Sequence, residues 1–285
     1  MITLHAPAHA KLNLTLDVVG KRPDGYHDLK MVMQEIDLCD ELTVILGTGT
    51  GFLVRADSGE IPADESNLAV KAARLFFEET GIDCGGLTVE IRKQIPVCAG
   101  MGGGSADGAA MLRMLWEHFD RPVPEKRLYM LAEQVGSDVP FALLGGTALA
   151  EEKGQVLTRL KQMPDCRIVL CKPPFPVSTP ELFRAVDRAT VSGRPDTDGM
   201  LQALEREDLR EIAKRLRNVF TPLISRRHPE IAEIRNTLIS HGVLGASMSG
   251  SGPTMFGLFD DDTKANQAYH ALKMEYSDTF LARPV

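Results

Sequence analysis

The amino-acid sequence predicts an α+β protein with two domains. Strands that read as mostly antiparallel come first and are followed by clustered helices, an order typical of α+β folds rather than of a doubly wound parallel sheet. A polar stretch over 151–163 then precedes a second set of strands and helices. The length of 285 residues suffices for one large or two ordinary domains. We therefore expect domains at 1–157 and 158–285.

Extended segments open the chain. Over 11–18 apolar side chains alternate with polar ones, which predicts a half-buried β-strand. The segment 20–28 is dense in turn residues and leads into a second extended run, 29–38, so the two predict a hairpin. Further strands are predicted at 42–46 and 87–91, the latter from its alternating pattern.

Apolar side chains at helical spacing predict helices over 66–79, with Ser66 as the N-cap and Gly81 as the stop, and over 124–135. Similar patterns predict the elements of the second part of the chain. They are helices near 209–219, 230–240 and 263–276, and strands at 167–171, 244–248 and 254–259. The last two strands meet at the turn 250–253, for which a plain hairpin is the simplest interpretation.

A run of glycines, PVCAGMGGGSADGAA over 96–110, leads directly into an Ala-rich helix that we expect to begin near Ser105. Glycine lets the backbone approach a ligand with its N–H groups pointing inward, and a helix N-terminus attracts anions. The segment therefore predicts a phosphate-binding loop, with a flexible strand-to-helix turn as the alternative. It is not a P-loop, because no lysine follows Gly104, and Ser105 replaces the third glycine of the dinucleotide fingerprint.

The composition restricts the partners. The chain has 32 basic and 39 acidic residues and a net charge of -7, which argues against nucleic acid as a general partner but leaves a small anionic substrate open. Five scattered cysteines without CxxC spacing indicate reduced thiols rather than disulfides or a zinc site. Because no signal peptide or long apolar run is apparent, we expect a cytoplasmic protein without a membrane partner.

Three segments together resemble the GHMP kinase superfamily, whose members phosphorylate small metabolites with ATP. They are the strand AKLNLTL, the glycine loop and the late SMSGSGPT, in that family's order, within a match over about 6–259. The resemblance implies an N-terminal domain related to domain 2 of ribosomal protein S5 and a ferredoxin-like C-terminal domain. The run RPDGYH over 22–27 is similar to a run found in one branch of the superfamily. Members of that branch phosphorylate the 2-hydroxyl of CDP-methylerythritol in the non-mevalonate route to isoprenoids. Departures are His9, Met101 and Gly108, where the family usually has proline, leucine and alanine.

The resemblance implies two catalytic residues, Lys11 and Asp138. The Lys11 ammonium would stabilise the transferring phosphoryl group, and Asp138 would act as the general base that takes the proton of the substrate hydroxyl. Judged from the residues alone, each has a structural alternative. Lys11 reads as a solvated lysine that protects an edge strand, and Asp138, in VGSDVPF, reads as a helix N-cap.

Five residues are the implied substrate ligands. Tyr26 would stack on the cytosine, a favourable use of an exposed aromatic ring, and His27 would hydrogen-bond to the base. Asn13 would hydrogen-bond to the substrate from the polar face of the first strand. Thr179 and Phe183 would close the other side of the cytidine pocket, although ordinary packing at a helix start also accounts for them.

The implied cofactors are ATP and Mg²⁺. Ser105 would bind a phosphate or lie near Mg²⁺, and Asp107 reads as a favourable partner of the helix dipole rather than a metal ligand. The metal ligands and the oligomeric state stay open. The ATP-binding residues would be Pro96, Val97, Cys98, Ala99, Gly100, Met101, Gly102, Gly103, Gly104, Ser105 and Ala106.

Two other functions are compatible with these residues. One is a kinase of the same superfamily that acts on a different small alcohol. The other is a non-catalytic nucleotide-binding or RNA-contacting protein with the S5-like fold. The net charge of -7 and the presence of both Lys11 and Asp138 weigh against the second rival.

Overall fold

The computed structural model describes residues 1–49, 51–57, 59–188 and 193–285. These residues form two compact units that alternate along the chain. Unit 1 comprises Met1–Ala10, Cys39–Val97 and Gly102–Leu144, and unit 2 comprises Lys11–Leu38, Cys98–Met101 and Gly145–Val285. The domain division at residue 157 stays a prediction.

Strands and helices have these bounds. The strands are β1 (Ile2–Lys21), β2 (His27–Leu46), β3 (Phe52–Ala56), β4 (Leu87–Arg92), β5 (Thr147–Glu152), β6 (Val156–Arg159), β7 (Arg167–Lys172), β8 (Arg217–Asn218), β9 (Gly245–Met248), β10 (Met255–Phe259) and β11 (Asp278–Ala282). The helices are α1 (Leu68–Thr80), α2 (Gly103–His118), α3 (Glu125–Val135), α4 (Val139–Leu144), α5 (Thr179–Val186), α6 (Thr197–Glu205), α7 (Leu209–Lys214), α8 (Thr221–Ser225), α9 (Glu230–Ser240) and α10 (Asp262–Lys273). The predicted α+β class is confirmed.

Unit 1 packs helices on a sheet. Its strands lie in the order β3-β4-β2-β1, with β3 parallel to β4 and β4 antiparallel to β2. Helix α1 packs against α2 and α3, and α2 packs against α4. The rings of Phe76, Phe77 and Phe119 form a cluster with centroids 5.5 to 6.2 Å apart. These aromatic contacts hold the helix that precedes the glycine loop against the helix that follows it.

Two helix starts differ from their predictions. Asn67, not Ser66, caps α1, because its side chain accepts the N–H of Ala69 while Ser66 bonds to Asp64. Helix α2 begins at Gly103, ahead of Ser105, because Gly102 adopts a φ of 72° and serves as the N-cap. Glycine tolerates this left-handed conformation, so the helix starts inside the glycine run.

Unit 2 contains two sheets. Strands β1 and β2 each have residues in both units, and in the first sheet of unit 2 the strand order is β6-β5-β2-β1-β8. The second is antiparallel, in the order β11-β7-β10-β9, and α9 and α10 pack against it. The turn 250–253 joins β9 and β10, so the predicted hairpin is confirmed. The β5–β6 hairpin and β11 were not predicted. The polar stretch that read as a boundary contains β6, which lies at the exposed end of the first sheet.

Strand β1 is buried on both faces where a half-buried strand was predicted. Lys11 is 6% exposed, and Asn13, Thr15 and Asp17 are buried as well. The strand lies between β2 and β8, which pairs with it at Thr15 and Leu16. Because Lys11 itself is buried, the interpretation of Lys11 as a solvated edge lysine is wrong. The buried polar groups have partners, since Thr15 Oγ1 accepts the N–H of Val32 and Asp17 pairs with Arg194.

Within 1–49, 51–57, 59–188 and 193–285, no helix combines the length and apolar character that crossing a bilayer requires.

Candidate active site

Lys11 lies in a hydrogen-bonded group of unit 2. Its Nζ donates to Asn13 Oδ1 at 2.7 Å, and its backbone N–H donates to the carbonyl of Met101 at 3.0 Å. The N–H of Asn13 donates to Ser249 Oγ at 3.3 Å, and that hydroxyl donates to the carbonyl of Gly100 at 2.9 Å. The lysine is thus held beside residues 98–101 of the glycine loop and beside Ser249 of the late SMSGSGPT segment.

The glycine loop approaches the turn 250–253, here called the late glycine turn, closely through two glycines. A Cβ on Gly100 would lie 2.2 Å from the carbonyl oxygen of Ser249, and a Cβ on Gly250 would lie 2.8 Å from the carbonyl oxygen of Gly100. Both glycines have positive φ, 76° and 56°. Only glycine therefore satisfies the space and the backbone conformation at these two positions.

Asn218, which the sequence patterns did not single out, anchors the late glycine turn. It is buried, and its Nδ2 donates to the carbonyls of Met248 and Gly250, each at 2.8 Å. The prediction of a helix over 209–219 concealed this role, because α7 ends at Lys214 and Asn218 belongs to β8.

The start of α2 has the features of an anion site. No side chain caps the helix, and the first N–H groups of an α-helix have no acceptor within it. Gly104 is exposed, and a Cβ there would meet only Leu68, at 3.6 Å, an ordinary contact. No protein atom thus requires glycine at this position, and the absence of a side chain leaves the approach to the helix N–H groups open to an anion.

A buried network of charges ties the segment before the glycine loop to α2. Asp40 is fully buried; its Oδ1 accepts the N–H groups of Gln94 at 2.6 Å and Ile95 at 2.9 Å, and its Oδ2 accepts from Lys93 Nζ. Lys93 Nζ also donates to Asp107 Oδ2 at 3.0 Å. One lysine and two carboxylates therefore hold the segment before the glycine loop and the helix after it in place.

The burial of this network shifts its pKa values. Burial raises the pKa of Asp107 to about 7, an effect that Lys93 opposes and Asp40 reinforces. Burial alone would lower the pKa of Lys93, but the charges of Asp107 and Asp40 outweigh it and raise that pKa. Because α2 begins at Gly103, Asp107 falls outside the first helical turn, and its role as a dipole partner is replaced by the pair with Lys93.

Asp138 occupies the N-cap position of α4 in unit 1. Its carbonyl accepts the N–H of Ala142 at 3.1 Å, and the helix begins at the next residue with Pro140 in its first turn. Val139 and Pro140 are buried, which fixes the backbone on which the carboxylate stands. The N-cap interpretation thus holds for the backbone, and it leaves the catalytic role as a prediction.

The aromatic residues predicted to bind cytidine lie in unit 2. Tyr26 follows a turn in which Asp24 Oδ1 accepts its N–H at 3.1 Å, and the residue is 61% exposed. The Lys153 ammonium lies 4.3 Å from the centre of its ring. The ring of His27 stacks on Phe183, with centroids 4.8 Å apart and planes at 21°.

Thr179 lies at the start of α5, where its hydroxyl is 2.8 Å from that of Ser251 in the late glycine turn. Unit 2 therefore contains two groups of predicted residues, one around Lys11 and Asn13 and the other around His27 and Phe183. Unit 1 holds Asp138 and the start of α2. Within the ranges the structure describes, no three His, Cys, Asp or Glu side chains gather into a metal-binding group.

Comparisons with known proteins identify the family. The model of the GHMP kinases N terminal domain matches residues 67–146, and the model of the GHMP kinases C terminal domain matches residues 200–278. The chain is 41% identical to the 4-diphosphocytidyl-2-C-methyl-D-erythritol kinase of Clostridium novyi (strain NT), over 98% of this chain and 99% of that protein. The enzyme of the same name from Clostridium botulinum (strain Eklund 17B / Type B) is also 41% identical, over 99% of this chain and all of that protein. The chain belongs to the GHMP kinase family.

Solved structures agree with this assignment. A crystal structure of 4-(cytidine 5'-diphospho)-2C-methyl-D-erythritol kinase superposes with a TM-score of 0.83 at 32% identity and covers 99% of each chain. Homoserine kinase from Cytophaga hutchinsonii superposes with a TM-score of 0.76 at 18% identity, covering 99% of this chain and 94% of that one, which shows a shared fold. The chain is thus a small-molecule kinase, and the predicted two-domain GHMP kinase architecture is confirmed.

Substitution of Gly104 by alanine separates ligand binding from folding. We expect Gly104→Ala to raise the KM for ATP about tenfold or more, because the methyl group would occupy the approach to the helix N–H groups. The variant should be as stable as the wild type or more stable, by up to about 1 kcal/mol, since alanine is the better helix former. Steady-state kinetics and thermal unfolding measure the two effects.

Gly59→Ala is the matched control, because a Cβ there would meet nothing within 4 Å and φ lies outside the left-handed region. An unchanged KM for ATP in a folded Gly104→Ala variant would show that phosphate does not approach this residue.

Proposed function

We propose that this chain transfers the γ-phosphoryl group of ATP to the 2-hydroxyl of 4-diphosphocytidyl-2-C-methyl-D-erythritol. The products are the 2-phosphate and ADP, in the non-mevalonate route to isoprenoid precursors. The observation that carries the proposal is identity of 41% over nearly the whole chain to kinases of that name. The exposed Tyr26 and the stacked pair of His27 and Phe183 support a cytidine-bearing acceptor.

The transfer uses one carboxylate and one ammonium. Asp138 takes the proton of the 2-hydroxyl as that oxygen attacks the γ-phosphorus, and ADP leaves with the bridging oxygen. The Lys11 ammonium stabilises the negative charge on the transferring group. Because Lys11 is buried and its Nζ bonds to Asn13, its charge acts in a region of low dielectric constant and needs little reorganisation.

The glycine loop binds the phosphates of ATP through backbone N–H groups at the start of α2. Mg²⁺, when bound, neutralises charge on the β- and γ-phosphates. Ser105, in the first turn of α2, would offer Mg²⁺ a hard hydroxyl oxygen as a ligand.

The cytidine occupies the aromatic region of unit 2. Tyr26 stacks on the base, and stacking of this kind contributes about 1 to 3 kcal/mol. His27 hydrogen-bonds to the base, Phe183 and Thr179 close the other side of the pocket, and Asn13 binds the acceptor. We further propose a domain boundary near residue 157 and a cytoplasmic enzyme that acts on small molecules.

An ATP-consumption assay tests the function. We expect turnover with 4-diphosphocytidyl-2-C-methyl-D-erythritol and none above background with mevalonate, homoserine or galactose, because only the first carries a cytidine for Tyr26 and His27. Turnover of one of the other three alcohols, but not of the first, would assign the chain to a different kinase of the family. No turnover with any alcohol would favour a non-catalytic protein.

Asp138→Asn tests the general base. The amide cannot take a proton, so kcat should fall by about 100-fold or more, while the affinity for ATP should stay within about twofold. Rapid-quench or steady-state kinetics and calorimetric titration with ATP measure the two quantities. The control is Asp165→Asn, whose side chain is 73% exposed. A kcat near the wild-type value would show that another group is the base.

A further inference from the structure

A carboxylate that the proposed transfer does not use lies beside His27. Asp187 follows α5 as its C-cap residue. Its Oδ1 is 2.7 Å from His27 Nε2, and its Oδ2 accepts from Lys21 Nζ. The His27 side chain is 8% exposed and that of Asp187 is 25% exposed. This geometry determines which nitrogen of the imidazole carries the proton.

The charge state of Asp187 decides the tautomer of His27. Hydrogen bonds from Lys21 and His27 lower the pKa of Asp187, so the group is a carboxylate at neutral pH. A carboxylate only accepts hydrogen bonds, so His27 Nε2 must carry the proton that it donates. In the neutral imidazole, Nδ1 is then an acceptor with a free lone pair.

Packing fixes the orientation of the imidazole. The ring stacks on Phe183, and Phe183 meets Phe220 edge-on with centroids 5.2 Å apart. Among the described residues, none hydrogen-bonds to His27 Nδ1. Rotation of the ring would break the bond to Asp187, so the acceptor at Nδ1 is held in one direction.

We propose that Asp187 is a positioning residue that sets the tautomer of His27, so that the site selects a base with an exocyclic amino group over one with a carbonyl. The inference rests on the proposed function, because it takes His27 as the group that reads the base. The amino group of cytosine donates to Nδ1. Uracil presents a carbonyl oxygen at the same place, which sets two lone pairs against each other and leaves both without a donor.

Kinetics with two acceptors test the proposal. We expect the wild type to prefer the cytidine-linked acceptor over its uridine-linked analogue in kcat/KM by about 10- to 100-fold, the effect of one unmade buried hydrogen bond. In Asp187→Asn the amide oxygen turns to Lys21, which only donates, so the amide NH₂ faces Nε2 and moves the proton to Nδ1. The preference should then fall about tenfold, through KM rather than kcat.

Asp262→Asn is the matched control, because Asp262 is also a carboxylate paired with a cation, Arg167, and should keep the wild-type preference. Turnover of the cytidine-linked acceptor with an unchanged preference in Asp187→Asn would overturn this inference and leave the proposed function intact. Absence of turnover with both acceptors in the wild type would instead contradict the proposed function.

¹⁵N NMR of histidine-labelled protein without ligands reads the tautomer directly. The His27 signals are assigned by their loss in His27→Gln. We expect the proton on Nε2 in the wild type and a shift of the population toward Nδ1 in Asp187→Asn. A wild-type protein with the proton on Nδ1 would overturn the inference, whether or not either acceptor is turned over.

Discussion

The buried carboxylate of Asp40 is the constraint on which the glycine loop depends. Both of its oxygens are in use: one accepts two consecutive backbone N–H groups just before the loop, and the other accepts from Lys93. Lys93 also pairs with Asp107 in the helix after the loop. An unpaired buried charge would cost several kcal/mol, so the three ionic side chains hold one another, and the backbone beside the loop, in a single arrangement.

In unit 2, close contacts between glycines have the corresponding role. Gly100 lies against the carbonyl of Ser249, and Gly250 lies against the carbonyl of Gly100, at distances that no side chain permits. Ser249 also links the loop to the strand that carries Lys11. The lysine is buried in a central strand rather than displayed on an edge. Removal from water strengthens its charge toward a phosphoryl group, so the packing of β1 determines the electrostatics of the proposed transfer.

Local sequence patterns predicted much of the fold. Helix α9 has the predicted bounds, and β4, β7 and α3 lie within a residue of theirs, because apolar periodicity reports which face is buried. The motifs also identified the glycine loop. The buried polar face of β1 could not be predicted, because alternation does not reveal what covers the polar side. Nor could the Asp40 network, because 53 residues separate Asp40 from Lys93 and only the fold brings them together.

Calorimetric titration of Asp40→Asn with a non-hydrolysable ATP analogue tests the dependence on Asp40 most directly. Asp40 accepts from three donors, two backbone N–H groups and Lys93 Nζ, and its other neighbour is the Asp107 carboxyl; asparagine keeps one acceptor oxygen, so the bond from Lys93 would be lost. We predict a folded variant whose affinity for the analogue is about tenfold weaker or more, the effect of one lost charge-assisted hydrogen bond. Wild-type affinity in the folded variant would contradict the claim that this buried carboxylate positions the glycine loop for ATP.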